Sequence, residues 1–169
     1  MRHLLLALPL ALLPLVSQAG EAHVHGIARL DVAVAGNDLE IELTSPAFNL
    51  VGFEYAPRKA PDQAIAVQTR HKLEKPQSLL GLPNCELQGM ELDGTVLSAD
   101  IYAASTKTDD EHSNATAMYH LNCPTPAAGM DVAELLKQFP GIEKIEAQVA
   151  GPKGQAGATL TRASSKLSF

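Results

Sequence analysis

Lys and Arg are few in this chain, and several short motifs that mark enzymes are missing from it. Its 169 residues include 19 acidic and 13 basic side chains, which gives a formal net charge of -6. Nucleic acids and anionic membranes bind clustered Lys and Arg, so this balance argues against both as partners. The sequence contains no Gly-x-Ser-x-Gly elbow and no glycine-rich phosphate loop. We therefore expect a protein that is not an enzyme.

A long hydrophobic run is also lacking, and the apolar stretch at the amino terminus is too short to span a membrane. Arg2 precedes an apolar run over residues 4–16, which small residues follow. This pattern is typical of a secretory signal, whereas a spanning helix needs about 20 apolar residues. We predict a cleaved signal peptide over residues 1–19 and export to a bacterial periplasm. One mature domain over residues 20–169, without membrane insertion, should remain.

The chain has only two cysteines, Cys85 and Cys123, and they are predicted to form a disulfide. An exported chain folds in an oxidising compartment, where such a pair is usually bridged. Neither cysteine has a neighbour at the Cys-x-x-Cys spacing of zinc and redox sites. A thiolate metal site is therefore the weaker alternative.

Alternating apolar residues, interrupted by turn residues, predict three antiparallel hairpins. The hairpins cover residues 22–46, residues 85–102 and residues 145–162. In the second of them, Asp93-Gly94 is a strong turn signal. A further strand is predicted over residues 116–123.

Two main helices are predicted, over residues 62–75 and residues 132–139, with a short helical piece over residues 77–80. No strand-helix-strand alternation is visible, so the predicted fold class is α+β: one compact domain with antiparallel sheets built from hairpins. Two related halves are left open, because no repeat is measurable. Residues 45–58 should form a packed loop, and residues 105–115 a mobile polar loop.

The most informative local feature is a histidine pair, His23 and His25. On the predicted strand, residues two apart project from the same face about 7 Å apart, so both imidazoles can meet one divalent metal ion. The pair is half of a site, and its other reading is a pair of surface histidines. His71, in the first predicted helix, should be solvated. Candidates for the further ligands are Glu21, Glu54, Asp109, Asp110, Glu111, His112 and His120.

A different metal is favoured if the signal is cleaved after Gly20. The mature chain would then begin Glu-Ala-His, whose amine, amides and imidazole form a square-planar site for Cu(II) or Ni(II). Copper or nickel binding is thus an alternative to zinc binding.

Three segments of the chain resemble the ZrgA-type proteins, exported bacterial proteins that are regulated by zinc. They are AHVHGIARLDVAVAGNDLEIELTSPAFNLVGFEYAPR at 22–58, YHLNC at 119–123 and FPGIEKIEAQVAGPKGQAGATLT at 139–161. The resemblance implies a periplasmic zinc-binding accessory to a zinc ABC importer, with the importer or its binding protein as partner. It also maps the family's paired amino-terminal histidines onto His23 and His25.

Two departures from the family pattern imply fewer bound ions than in many members. Tyr55 stands where many members have His, and a long His/Asp-rich run is reduced to residues 109–112. We expect one Zn²⁺ site at His23 and His25, completed by a ligand such as His112 or His120. The alternative is a metal-independent module that contacts an envelope partner through residues 45–58 and 105–115. The oligomeric state is left open.

Overall fold

The computed structural model describes residues 24–98 and 113–169, which contain eight strands and four helices. The strands are β1 Ile27–Ala35, β2 Asp38–Pro46, β3 Glu86–Asp93, β4 Asn114–Asn122, β5 Gly129–Asp131, β6 Lys144–Gly151, β7 Gly154–Leu160 and β8 Lys166–Ser168. The helices are α1 Ala47–Val51, α2 Ala60–Leu73, α3 Pro76–Leu79 and α4 Ala133–Gln138. Six strands form one sheet in the order β3-β4-β2-β1-β6-β7, and β5 pairs with β8.

The first and third predicted hairpins are present as β1-β2 and β6-β7, both antiparallel. Their burial alternates as the sequence predicts: Leu30 and Val32 are buried, while Arg29 and Ala33 are exposed. The predicted start of the first hairpin is wrong, because β1 begins at Ile27 and the two residues before it form a turn. The alternation of apolar and polar residues predicts these two hairpins correctly, because in each of them consecutive strands of the chain pair with each other.

The second predicted hairpin, over residues 85–102, is wrong. β3 pairs with β4 instead of with the residues that follow Gly94. Gly94 has φ 117°, and a Cβ there would lie 2.6 Å from the backbone oxygen of Asn114. The chain then turns inward and buries Val96 and Leu97 in the core. The remainder of the predicted second strand, residues 99–102, lies outside the described residues.

The sheet is mixed, and not purely antiparallel as predicted, because β1 and β6 run parallel. Ile27 is aligned with Lys144, and Ala33 with Ala150. Hairpin signals report only pairings between consecutive strands, so this long-range pairing leaves no local trace in the sequence. The α+β prediction therefore holds for composition and for the single compact domain, but not for the sheet's direction.

Apolar side chains on one face of the sheet pack against the helices in a single core. Tyr119 of β4 shows how the layers join, because its hydroxyl donates to the carbonyl of Leu73 at the end of α2, at 2.9 Å. Burial raises the pKa of this tyrosine above its ordinary value. The other face of the sheet is open to solvent, with Glu40 and Glu42 of β2 exposed.

The predicted helices are present as α2, α3 and α4 with ends shifted by one or two residues. The predicted packed loop over residues 45–58 contains one short helix, α1, whose five residues are too few to show a helical period. Of the predicted mobile loop, residues 105–112 lie outside the described residues, and Asn114 already belongs to β4.

The predicted disulfide between Cys85 and Cys123 is present, and it joins the residue before β3 to the residue after β4. It closes a loop whose ends are 38 residues apart in sequence. The bridge therefore ties β3 to β4, its neighbour in the sheet.

We expect reductant to lower the free energy of unfolding by about 3–4 kcal/mol. Opening a loop of this length increases the conformational entropy of the unfolded chain, which stabilises the unfolded state by about that amount. Urea unfolding of the mature protein, with and without reductant, measures the change. Cys85→Ser/Cys123→Ser is the control and should not respond to reductant. Two free thiols in protein purified from the periplasm would contradict the assignment.

Candidate metal centre

His25 lies in a tight turn immediately before β1. The next residue, Gly26, has φ 84°, a conformation that residues with a side chain rarely adopt. The turn is closed by the Ile27 N–H, which donates to the Val24 carbonyl at 3.1 Å. The prediction that His25 projects from the face of a strand is therefore wrong, because the glycine turns the chain at this point.

The turn is held by the side chain of Asn49, which lies in α1 and is only 3% exposed. Its Oδ1 accepts from the Gly26 N–H at 2.8 Å, and its Nδ2 donates to the Ile27 carbonyl at 3.0 Å. Nδ2 also lies 3.1 Å from the Ser45 hydroxyl, to which it donates. The Asn49 amide thus supplies hydrogen-bond partners for the Gly26 N–H and the Ile27 carbonyl, and it fixes the point at which β1 begins.

The turn after α4 packs closely against the same asparagine. A Cβ at Gly141 would lie 2.5 Å from the Asn49 backbone oxygen, so only glycine permits this approach. Next to it, the Gly26 carbonyl accepts from the N–H groups of Glu143 and Lys144, at 2.8 and 3.0 Å. The turn at His25 and Gly26, the segment that begins at Asn49 and the turn at Gly141, which are far apart in sequence, therefore meet at one place.

The imidazole of His25 is held between an aromatic ring and a carboxylate. It stacks on Phe48, with ring centroids 4.4 Å apart and planes 11° apart. Its Nε2 lies 3.1 Å from Oε1 of Glu54. The His25 side chain is 50% exposed, whereas that of Glu54 is only 11% exposed. A half-exposed imidazole that is oriented by a largely buried carboxylate is typical of metal ligands.

The chain returns to this region at Ser113, the first described residue after residue 98. The Ser113 hydroxyl donates to the Glu54 carbonyl at 2.8 Å, and the Ser113 carbonyl accepts from the Ala47 N–H at 2.9 Å. Six predicted ligands lie outside the described residues: Glu21, His23, Asp109, Asp110, Glu111 and His112. Of these, His23 and His112 are adjacent in sequence to residues of this region, Val24 and Ser113 respectively.

The family model of ZrgA family zinc uptake proteins matches residues 22–169. The chain belongs to the ZrgA family. The match covers almost the whole chain, including every described residue and the predicted ligands His23 and His112. A search of curated proteins finds no similar sequence. Among the residues that the structure describes, no helix is long and apolar enough to cross a membrane.

In this ZrgA-family chain, His120 lies away from His25. It is on β4 opposite Glu40, with Nδ1 2.9 Å from the Glu40 carboxylate and Nε2 3.6 Å from that of Asp38. Seven residue steps along an extended strand separate it from Ser113, which is a distance of about 20 Å. The structure therefore does not bring His120 together with His25.

The carboxylates beside the other described histidines are surface groups. Hydrogen bonds from Asn122 and then His120 hold the pKa of Asp38 below its ordinary value. His71, on α2, lies 3.0 Å from Glu74, the residue that follows the helix, and its hydrogen bond lowers the pKa of the Glu74 carboxyl. The prediction that His71 is solvated agrees with its 67% exposed side chain.

Within residues 24–98 and 113–169, no group of three or more His, Cys, Asp or Glu side chains is arranged to hold a metal ion. The disulfide removes Cys85 and Cys123 as thiolate ligands. A zinc ion at His25 would therefore need donors from outside these ranges. His23, next to Val24, and His112, next to Ser113, are the histidines adjacent in sequence to described residues of this region.

We expect Asn49→Ala to lower the free energy of unfolding by about 2–4 kcal/mol. The change removes the hydrogen-bond partner of the Gly26 N–H and of the Ile27 carbonyl, and unpaired backbone groups inside the protein cost stability. Asn122→Ala is the control, since its amide contacts Asp38 at the surface, and we expect a loss of at most about 1 kcal/mol there. Urea unfolding in the presence of a chelator measures both. A loss for Asn49→Ala of at most about 1 kcal/mol, as expected for the control, would contradict the importance of the Asn49 contacts for stability.

Proposed function

We propose that this chain is an exported, non-enzymatic protein that binds Zn²⁺ and serves as an accessory to zinc uptake. The observation that carries the proposal is the His25 imidazole, which is held in place by Phe48 and Glu54 beside the turn that Asn49 closes. A preoriented ligand binds a metal more tightly than a mobile one, because less freedom is lost on binding. The family's description as zinc uptake proteins supports zinc as the ion.

We propose that His23, His25 and His112 bind one Zn²⁺. Three imidazoles leave a fourth position of the tetrahedral ion for water or an exchanging ligand. Ser113 supports the choice of His112, because its hydroxyl is bonded to the Glu54 backbone beside His25. His120 lies about 20 Å from Ser113 along β4, so the proposal does not include it among the ligands of this ion.

Glu54 is proposed to position His25 and not to bind the ion itself. When Nε2 donates to Glu54, the ring coordinates zinc through Nδ1, and the carboxylate makes that nitrogen a better donor. The low exposure of Glu54 suits this role, because few water molecules can compete for its carboxylate even though the imidazole itself is half exposed.

Export to the periplasm is supported by the signal pattern of residues 1–19 and by the disulfide, which forms in oxidising compartments. The partner that exchanges zinc with this site is proposed to be a zinc ABC importer or its binding protein.

The histidines can be tested together by calorimetric titration of the mature protein with Zn²⁺. His23→Ala, His25→Ala and His112→Ala should each cost about 2 kcal/mol or more of binding free energy, and the double His23→Ala/His25→Ala should cost little more than either single change. This non-additivity follows because removal of one ligand leaves the others with an incomplete site. His71→Ala and His120→Ala are the controls and should bind as the wild type. Small, equal losses in all five single variants would mean that zinc binds only to scattered surface histidines.

Glu54 can be tested by comparing two substitutions in the same titration. Glu54→Ala removes the hydrogen-bond acceptor and should weaken zinc binding about 10-fold to 100-fold. Glu54→Gln keeps an acceptor oxygen near Nε2 and should lose only a few-fold. If Glu54→Gln is as weak as Glu54→Ala, the carboxylate is itself a zinc ligand, and if neither variant changes the affinity, Glu54 has no part in the site.

A further inference from the structure

The two edges of the six-stranded sheet differ in how they are protected from pairing with another chain. β3, at one edge, has a bulge between Leu87 and Gly89 and carries three acidic residues, Glu86, Glu91 and Asp93. Bulges and edge charges both discourage the addition of a further strand. This edge is therefore closed to association.

β7, at the other edge, has neither form of protection. Its seven residues, GQAGATL, include no charge and no proline, and its register with β6 is continuous from Leu160 to Gly154. The first four residues of the strand are all exposed. In the described part of the chain, no backbone hydrogen bond joins β7 to anything except its pairing with β6.

The outward-facing backbone groups of β7 can be assigned from its pairing. The β6-β7 hairpin closes at the Gly151–Gly154 pair, around a two-residue turn. In an antiparallel ladder, alternate residues point their N–H and C=O groups away from the partner strand. Counted from the closing pair, these residues are Gln155, Gly157 and Thr159, which form a row of three donors and three acceptors along the edge.

We propose that β7 is a dimerisation edge, which pairs antiparallel with β7 of a second copy of this chain. With the two-fold axis at Gly157, that residue faces its own copy, Gln155 faces Thr159 and Ala156 faces Ala158. The pairing is self-complementary, as a two-fold interface requires. It places no like charges opposite each other, and the small side chains allow close approach. A second copy is favoured over a charged partner because the whole edge is neutral.

The expected affinity follows from the size of the interface. One seven-residue edge buries less surface than the roughly 1,200–2,000 Å² of a stable complex. The dimer should therefore form at protein concentrations of tens of micromolar and above, which corresponds to about 6 kcal/mol of association free energy. This proposal does not rest on zinc binding, so it can be tested in a chelator.

Two exposed edge glycines offer a matched pair of variants. A Cβ at Gly157 on β7 would lie 3.7 Å from the nearest atom, and one at Gly89 on β3 would lie 3.8 Å from it, so both positions accept a side chain. Neither glycine has a positive φ. Gly157→Lys places two like charges together at the two-fold axis, whereas Gly89→Lys adds the same charge to the edge that is not used.

Sedimentation equilibrium of the mature protein, from about 10 to about 500 µM, tests the proposal. The wild type and Gly89→Lys should dimerise equally, and Gly157→Lys should dimerise at least about 10-fold more weakly. Hydrogen exchange should show the amides of Gln155, Gly157 and Thr159 becoming protected as the concentration rises. A wild type that stays monomeric throughout, or a dimer that Gly157→Lys leaves unchanged, would overturn the proposal.

Discussion

The contacts of the buried Asn49 amide are the interactions on which the rest of the candidate site depends. Asn49 bonds both backbone groups of the turn at Gly26, and that turn sets the point at which β1 starts. The carbonyl of Gly26 then accepts from the backbone of Glu143 and Lys144, where β6 begins. The position of His25 and the parallel alignment of β1 with β6 are therefore consequences of the same few hydrogen bonds.

How much of the fold the sequence predicts depends on how far apart the paired residues lie in the chain. The β1-β2 and β6-β7 hairpins, the helices and the disulfide follow from local patterns and from the cysteine count. The parallel β1-β6 pairing joins two distant segments and has no local signal. At Gly94 a strong turn signal is present, but the chain turns inward to bury Val96 and Leu97, so burial in the core overrides the hairpin.

The candidate site was predictable in its residue type but not in its geometry. The His-x-His spacing points to His25, yet its strand geometry is wrong because Gly26 takes a positive φ. Glu54 is one of several candidate carboxylates in the sequence, and only the fold brings it to 3.1 Å from His25. Asn49 and Phe48 were not identified as site residues. The one visible signal for Asn49 is a polar residue within an otherwise apolar segment, and such a residue needs a buried partner.

The distribution of charge limits where this protein can associate with a second copy. On the solvent face of the sheet, acidic side chains recur on several strands, with Asp31 of β1 directly opposite Glu42 of β2, and Glu40 opposite His120. Ion pairs of Arg29 with Asp31 and of Lys144 with Glu146, both at 2.7 Å, neutralise part of this charge. Glu40 and Glu42 keep the face acidic, so a second copy brought to it would meet like charges. The same field raises the local concentration of cations, which is consistent with the proposed binding of Zn²⁺. Association is thereby directed away from the acidic face and from the acidic β3 edge, which leaves the neutral β7 edge as the part of the sheet where two copies can approach without repulsion.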